Sequence, residues 1–276
     1  MAKKWGFIGC GNLAQAIIEG AVGLRSLDPQ DVSAFDLDSK KLSEFCKRLG
    51  ISPASSVENI FSRSEVIVLG TKPQDIQSIL EKLSSVSAED RAVVSLAAGV
   101  SDKILLKHLG GFKSITRVMA NTPALVQKGI FGIFFVKTDA ENKSEILRIF
   151  ESLGEVIVVN KNAHIDALTS ASASGVGFVL SFMEEYEKWL AKKSFSRTDS
   201  RKVATSVFLG TAFLAQKRTE ASLGELRNAV TSKKGTTLAG LNAMRKAKVP
   251  TGLKAGLDAG LRRAVEISKD LLRGKK

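Results

Sequence analysis

The first fourteen residues constrain this chain most. Lys3-Lys4-Trp5-Gly6-Phe7-Ile8 reads as a short buried strand, Gly9-Cys10-Gly11-Asn12-Leu13-Ala14 follows, and an amphipathic run from 15 to about 24 reads as a helix. A G-x-G-x-x-A run carries meaning in this setting, between a strand and the helix it opens. Gly9 permits a tight turn, Gly11 has no side chain to hold a pyrophosphate off the backbone, and Ala14 lets helix and strand approach. The free N–H groups at the helix start then face anionic oxygens, helped by the helix dipole. The spacing predicts dinucleotide binding, with Gly9, Cys10, Gly11, Asn12 and Leu13 as the phosphate cradle. The alternative is a glycine-rich turn that holds nothing.

The residues that follow repeat the alternation. Asp31-Val32-Ser33-Ala34-Phe35-Asp36 reads as a second strand, and Asp36 stands 25 residues after Gly11. An acid in that place accepts hydrogen bonds from the adenosine ribose and favours NADH. Alternatively it caps the helix predicted over Ser39–Leu49, and Lys40 and Lys41 meet a 2′-phosphate, so NADH and NADPH both stay open. Glu65-Val66-Ile67-Val68-Leu69 is continuously apolar after its first residue, as in a strand buried on both faces. Its exit, Thr71-Lys72-Pro73, falls at the carboxyl edge where open α/β sheets bind ligands. A helix over 75–83 and a strand Ala92-Val93-Val94-Ser95-Leu96 come next. That strand ends in Ala97-Ala98-Gly99-Val100, small residues that leave room for a nicotinamide ring or let the helix over 101–109 pack closely. Ser114-Ile115-Thr116-Arg117-Val118-Met119 is a further strand, ending at Ala120-Asn121-Thr122-Pro123. Strands over 129–136 and 155–159 flank a helix over 142–153. Such alternation predicts a doubly wound α/β sheet.

Beyond His164 no strand-like run returns. Helices are predicted over 165–192, 201–216, 223–231 and 253–272, with one more opened by Gly235. The division expected is residues 1–160 for the dinucleotide and an all-helical domain over 161–276. The length of 276 residues, 44% apolar and 25% charged, allows two such domains. No apolar run in the sequence approaches the ~18 residues of a bilayer span, and the early strand leaves no secretory signal. Cys10 and Cys46 are the only cysteines. A reducing cytoplasm is the expected location, and no metal site is expected from so few ligands.

Charge separates the halves. Residues 1–185 carry 20 Lys and Arg against 21 Asp and Glu, whereas residues 186–276 carry 21 against 7. A basic half raises a nucleic-acid or acidic partner. Its cations are interspersed with Ala, Leu and Thr at helical spacing, with few aromatics for base stacking, which favours a solvated surface that draws in anions.

A dinucleotide domain joined to a helical one fits hydride transfer. Ser232-Lys233-Lys234-Gly235-Thr236-Thr237 has the form of an anion-binding loop at a helix start, its N–H groups and hydroxyls suited to a carboxylate. Ordinary capping by Ser or Thr explains it as well. His164 is a candidate general acid or a surface residue at a helix start, and His108 reads as structural.

Together these pieces resemble the pyrroline-5-carboxylate reductase family, along nearly the whole chain. Gly6-Phe7-Ile8-Gly9-Cys10-Gly11-Asn12-Leu13 is similar to its opening G-F-I-G-x-G-x-[LM]. Thr71-Lys72-Pro73-Gln74 resembles V-K-P-Q, Ser95-Leu96-Ala97-Ala98-Gly99-Val100 resembles S-x-x-A-G-[VI], and Arg117-Val118-Met119-Ala120-Asn121-Thr122-Pro123 resembles R-x-M-P-N-T-P. Asp166-Ala167-Leu168-Thr169 with Ser172-Ala173-Ser174-Gly175 resembles D-A-V-T-x-L-S-G-S-G-P-A-Y. Leu226-Arg227-Asn228-Ala229-Val230-Thr231-Ser232, then Gly235-Thr236-Thr237-Leu238-Ala239-Gly240-Leu241, is similar to L-R-x-x-V-T-S-P-G-G-T-T-x-x-G-L, the most specific of the six.

The resemblance implies a Rossmann-type domain, a helical dimerisation domain, and reduction of a cyclic imine carboxylate by NADPH or NADH to L-proline. It implies that Ser232, Gly235, Thr236 and Thr237 hold the carboxylate, with Ser174 nearby. Thr237 would hydrogen-bond the ring nitrogen and Glu220 would stabilise iminium charge. Asn121, Ala97 and Ala98 would join the cradle residues, Asp36, Thr71, Lys72 and Pro73 around the cofactor. It also implies a homodimer or a larger ring of dimers. The chain departs from the pattern at Ala120, at Val176-Gly177 in place of Pro-Ala, at Phe178 in place of Tyr, and at Lys233-Lys234 in place of Pro-Gly. The lysines put two cations beside the carboxylate loop. Two other readings follow from these features: a related reductase of another cyclic imine or carbonyl acid, and a nucleotide-sensing protein with a basic partner surface.

Overall fold

The computed structural model describes residues 3–72, 75–85, 88 and 90–273. The strands expected from the sequence join one sheet of eight in the order β3-β2-β1-β4-β5-β6-β7-β8. In chain order the elements are β1 (Trp5–Ile8), α1 (Asn12–Gly23), β2 (Val32–Phe35), α2 (Ser39–Leu49), β3 (Ser52–Pro53), α3 (Val57–Arg63), β4 (Val66–Leu69) and α4 (Ile76–Ser84). Then come β5 (Ala92–Ser95), α5 (Asp102–Leu109), β6 (Ser114–Met119), β7 (Gly129–Lys137), α6 (Ala140–Ser152) and β8 (Gly154–Val158). Strand order reverses between β1 and β4, which opens a crevice above their carboxyl ends.

Both faces of the sheet are covered. Trp5, Phe7, Val66, Val68 and Val94 pack with Ile17 and Ile18 of α1, Phe45 of α2 and Ile149 of α6. Ile8, Ile67, Leu69 and Val93 point the other way, onto Ile60 of α3, Leu80 of α4 and Leu105 of α5. Alternation along β1 is therefore apolar on both sides, as crossover helices on two faces require.

Two features lie outside the sequence reading. The stretch between α2 and β4, to which no element was assigned, holds β3 and α3. A two-residue edge strand with a proline and a seven-residue helix are too short to show a period; the legible signal was Ser56, whose Oγ accepts from Asn59 N–H at 3.1 Å as an N-cap. Second, β7 runs antiparallel to β6. Its connection carries only a 3₁₀ turn, Thr122–Val126, too short to cross back to a parallel start.

The rest is helical: α7 (Asn162–Leu168), a π-helical turn (Thr169–Ser174), α8 (Gly175–Ala191), α9 (Arg197–Lys217), α10 (Leu223–Ala229), α11 (Thr236–Lys246) and α12 (Val249–Leu272). The helical stretch Asn162–Ala191 is long and apolar enough to cross a membrane by length and composition alone. The chain divides into two compact units, one of residues 1–174 with 260–276 and the other of residues 175–259. This is not the division at 160: α7 and the π turn stay with the sheet, and the end of α12 returns to it. Gly260 fits against Ser170, and Gly99 against Ile267, so closely that a Cβ at either glycine would overlap its neighbour.

Candidate active site

At the β1 exit the glycine turn is built for close approach. Gly9 has φ of 88°, and a Cβ there would lie 2.6 Å from Thr71 N. Gly70 faces it from β4, where a Cβ would lie 2.7 Å from Gly9 O and 3.2 Å from Ala14 Cβ. Two strand exits and α1 thus meet with no room for side chains. Gly11 differs: a Cβ there would meet no protein atom within 4 Å. It borders a cavity of about 440 Å³ lined also by Gly9, Asp36, Leu37, Thr71 and Lys72. Among the described residues no side chain caps α1, and its first turn holds no acid, so its N–H groups open unneutralised onto the crevice.

Asp36 ties this turn to β2. Its Oδ2 accepts from Cys10 N–H at 2.7 Å and its Oδ1 from Asp38 N–H at 3.0 Å. Gln15 Nε2 donates to Cys10 O at 2.8 Å. Burial pushes the Cys10 thiol up to about 12, with Cys46, Asp36 and Glu19 adding to the rise, so Cys10 stays a thiol at neutral pH. Thr71 Oγ1 is buried with no hydrogen-bond partner among the described residues, at the cavity wall. An uncapped helix start, an open Gly11 and an orphaned hydroxyl suit a dinucleotide pyrophosphate. Pro73 lies outside the described residues.

A smaller cavity of about 130 Å³ lies between α1, the β5 exit, β6 and the π turn, lined by Leu13, Ala97, Ala98, Met119, Thr169 and Ala173. Small residues at the β5 exit do leave space here. Asn121 is not free to reach into it with its amide, which donates to Ser172 O at 3.2 Å and accepts from Ile130 N–H at 2.9 Å. The π turn is braced beneath by a buried cluster the sequence reading did not single out. Arg117 Nη2 pairs with Asp166 Oδ1 at 3.4 Å, Arg117 Nη1 donates to Asn162 Oδ1, and Asn162 Nδ2 donates to Asp166 Oδ2 at 3.2 Å. Burial lowers the Arg117 pKa, while Asp166 opposes that shift. The signal was a charged residue inside an apolar strand.

In the second unit, the loop before α11 brings Ser232 against Gly235. Gly235 N–H donates to Ser232 O at 3.1 Å, and a Cβ at Gly235 would overlap the Ser232 hydroxyl. Gly235 caps α11 through backbone alone: among the described residues no side chain caps it, and no acid occupies its first turn. Thr236 and Thr237 sit exposed on that turn. Lys234 adopts φ of 65°. Glu220, exposed, pairs with Arg218 at 3.1 Å. Ser174, at the end of the π turn, belongs to the first unit and is exposed. His164 lies exposed on α7 and His108 in the last turn of α5.

The family model described as pyrroline-5-carboxylate reductase dimerisation matches residues 162–267, and one described as NADP oxidoreductase, coenzyme F420-dependent, matches residues 4–99. A pyrroline-5-carboxylate reductase of Haemophilus influenzae is 32% identical over 268 residues, covering 96% of this chain and 97% of the relative. The structure of a pyrroline-5-carboxylate reductase from Coxiella burnetii is similar with a TM-score of 0.85 at 28% identity, covering 97% of this chain and 99% of the other. A Plasmodium falciparum pyrroline carboxylate reductase with NADP bound gives a TM-score of 0.88 over 96% of this chain and 98% of its own, and at 22% identity shows the shared fold. With the glycine turn, the braced β5–β6 slot and the Ser232–Thr237 loop all in place, the chain belongs to the pyrroline-5-carboxylate reductase family.

Proposed function

We propose that this protein reduces 1-pyrroline-5-carboxylate to L-proline with NAD(P)H, the last step of proline biosynthesis. One observation carries the reading beyond family membership. α1 and α11 both start on a glycine cap with bare N–H groups, whereas α2, α3, α5, α6, α9 and α10 are capped by Asp or Ser side chains. These two glycine-capped starts are those assigned to the pyrophosphate and to the substrate carboxylate; α4 and α7 also lack a side-chain cap but start on Asp75 and Lys161.

In this reading Gly11, Asn12 and Leu13 hold the pyrophosphate through backbone, Gly9 and Cys10 shape the turn with their N–H groups tied to Phe35 O and Asp36, Asp36, Thr71 and Lys72 line the approach, and Ala97, Ala98 and Asn121 border the ring slot. When bound, the dihydronicotinamide supplies a hydride. Ser232, Gly235, Thr236 and Thr237 hold the carboxylate, with Ser174 as a further substrate contact. The Thr237 hydroxyl accepts from the protonated ring nitrogen, and Glu220, released from Arg218, stabilises the iminium charge. That charge makes the imine carbon electrophilic; the carbon gains the hydride, the nitrogen keeps its proton, and the product is a secondary amine. Orientation supplies most of the acceleration. Functionally, residues 1–160 bind the nucleotide, and residues 161–276 carry substrate binding and assembly into a homodimer or a ring of dimers. The apolar rod Asn162–Ala191 is then a subunit surface in a cytoplasmic enzyme with no membrane or nucleic-acid role.

The test mixes purified protein, pyrroline-5-carboxylate and NADH or NADPH, following absorbance of the reduced nucleotide. Oxidation and proline formation are expected; none with either nucleotide overturns the proposal. Ser232→Ala is expected to raise KM for the imine at least about tenfold, as loss of a hydrogen bond to a charged group does, with nucleotide affinity unchanged.

A further inference from the structure

We propose that Asn162, acting with Arg117 and Asp166, is a positioning residue: it holds the two walls of the β5–β6 slot at the spacing a nicotinamide ring needs for hydride transfer. The inference rests on the dinucleotide reading and deepens it at the reacting end. One wall of the cavity of about 130 Å³ is the β5 exit, with Ala97 and Ala98, and the other is the π turn, with Thr169 and Ala173. The β5 exit leads into α5 at Asp102, and the π turn prolongs α7. Asn162, the first residue of α7, joins the two. Its Oδ1 accepts from Asp102 N–H at 3.2 Å and from Arg117 Nη1 on β6, and its Nδ2 donates to Asp166 Oδ2 at 3.2 Å.

Charge balance alone does not call for this residue. The buried Arg117 guanidinium already has a carboxylate partner in Asp166, at 3.4 Å. Asn162 is a neutral amide, and its bonds reach three separate elements: the start of α5, β6 and the next turn of α7. With both ends of the amide engaged in a partly dry setting, α7 cannot shift against the β5 exit without breaking hydrogen bonds that water does not replace. The far end of the π turn is pinned independently, where Asn121 Nδ2 donates to Ser172 O at 3.2 Å. Base and tip of one wall are thereby fixed, and the base is fixed to the other wall. Arg117 and Ile165 line the slot, whereas Asn162 does not, so Asn162 acts through what it holds and not by contact with the ring. Placement is what this reaction needs most: a misplacement of about 1 Å, caused away from the reacting atoms, costs about a hundredfold in rate.

The experiment compares the full-length protein with Asn162→Ala, which leaves the Arg117–Asp166 pair intact. A second variant, Arg117→Lys, keeps a cation for Asp166 but loses the planar fork that also reaches Asn162. Single-turnover oxidation of bound NADH or NADPH by pyrroline-5-carboxylate is followed by stopped flow, with hydrogen and then deuterium at the transferred position. Both variants are expected to slow this step about tenfold to a hundredfold, with a primary isotope effect on the slowed step. The KM for the imine and the affinity for ADP-ribose and its 2′-phosphate, which lack the nicotinamide, are expected to stay as they are. The fluorescence emission of bound NADH, a readout of the ring that needs no turnover, is expected to change in both. Asn162→Ser, which still accepts one hydrogen bond, is expected to fall between the unaltered protein and Asn162→Ala, and circular dichroism checks that each variant folds. Unaltered rate and emission overturn the proposal; the packing of α12 on Gly99 and Ser170 would then fix the slot without the tie. A parallel loss of ADP-ribose affinity, or of the fold, makes Asn162 merely structural and also overturns it. If the unaltered protein binds NADH but reduces no imine, the reductase reading fails, and a changed emission with ADP-ribose affinity kept still supports the positioning role. Binding of neither nucleotide overturns the dinucleotide reading and this inference with it.

Discussion

Lys234 stands in the left-handed region, with φ of 65°, where the family signature has glycine. That conformation costs an L-residue about 1–2 kcal/mol, and glycine gives back about 0.5–1 kcal/mol of it in chain entropy. Lys234→Gly is therefore expected to stabilise the fold by about 0.5–1 kcal/mol, measured by urea unfolding; a loss would mean that the lysine makes a compensating contact. Gly9 and Gly11 separate packing from ligand space. Gly9→Ala forces a Cβ to 2.6 Å from backbone at a positive φ and is expected to destabilise by well over about 1 kcal/mol. Gly11→Ala meets no protein atom, so stability should hold to within about 1 kcal/mol while nucleotide affinity falls at least tenfold. The sequence motif named both glycines; only the tertiary contacts divide their duties.

At the scale of elements, α6 is held by its cap. Burial raises the Asp139 carboxyl, but hydrogen bonds from Asn142 N–H at 2.9 Å, Ser114 Oγ at 2.7 Å and Asn142 Nδ2 at 2.7 Å outweigh it and hold the group well below the usual carboxylate range. A carboxyl depressed in the folded state stabilises above its unfolded value of about 4, and that contribution is lost as pH falls from there toward the folded value. Asp139→Asn should cost about 1 kcal/mol at neutral pH and progressively less in acid, read from unfolding at several pH values; a pH-independent cost would exclude ionisation as the cause. The buried Arg117–Asp166 pair joins β6 to α7. Asp166→Ala leaves an uncompensated buried guanidinium and is expected to cost about 3–5 kcal/mol. Element existence was legible where periods were long: β6 and α2 fall where the sequence placed them. α3 and β3 were not, because seven and two residues cannot display a period.

For the whole molecule, the helical half presents apolar side chains to solvent. Leu180, Trp189, Leu209 and Phe213 are 56%, 61%, 59% and 47% exposed in the single chain. Exposed large apolar side chains along α8 and α9 suit an association surface, in keeping with the dimerisation family model that matches residues 162–267. Thermal stability should therefore rise with protein concentration. Leu209→Glu combined with Phe213→Lys should give monomers by sedimentation while nucleotide binding persists in the sheet domain. Loss of nucleotide binding together with assembly would tie the two functions more closely than this reading does.

The doubly wound sheet, the helical half, and the two loops assigned to pyrophosphate and carboxylate are legible in local sequence. Those features are written locally: a period, a glycine at a fixed offset, a hydroxyl before a helix start. Closure of the chain sets the antiparallel direction of β7, the return of α12 to the sheet, the bond from Cys10 N–H to Asp36 and the Lys41–Asp38 pair. Those facts depend on which donor meets which acceptor once the chain has closed. No periodicity encodes that, because a hydrogen bond reports separation in space and a motif reports separation along the chain.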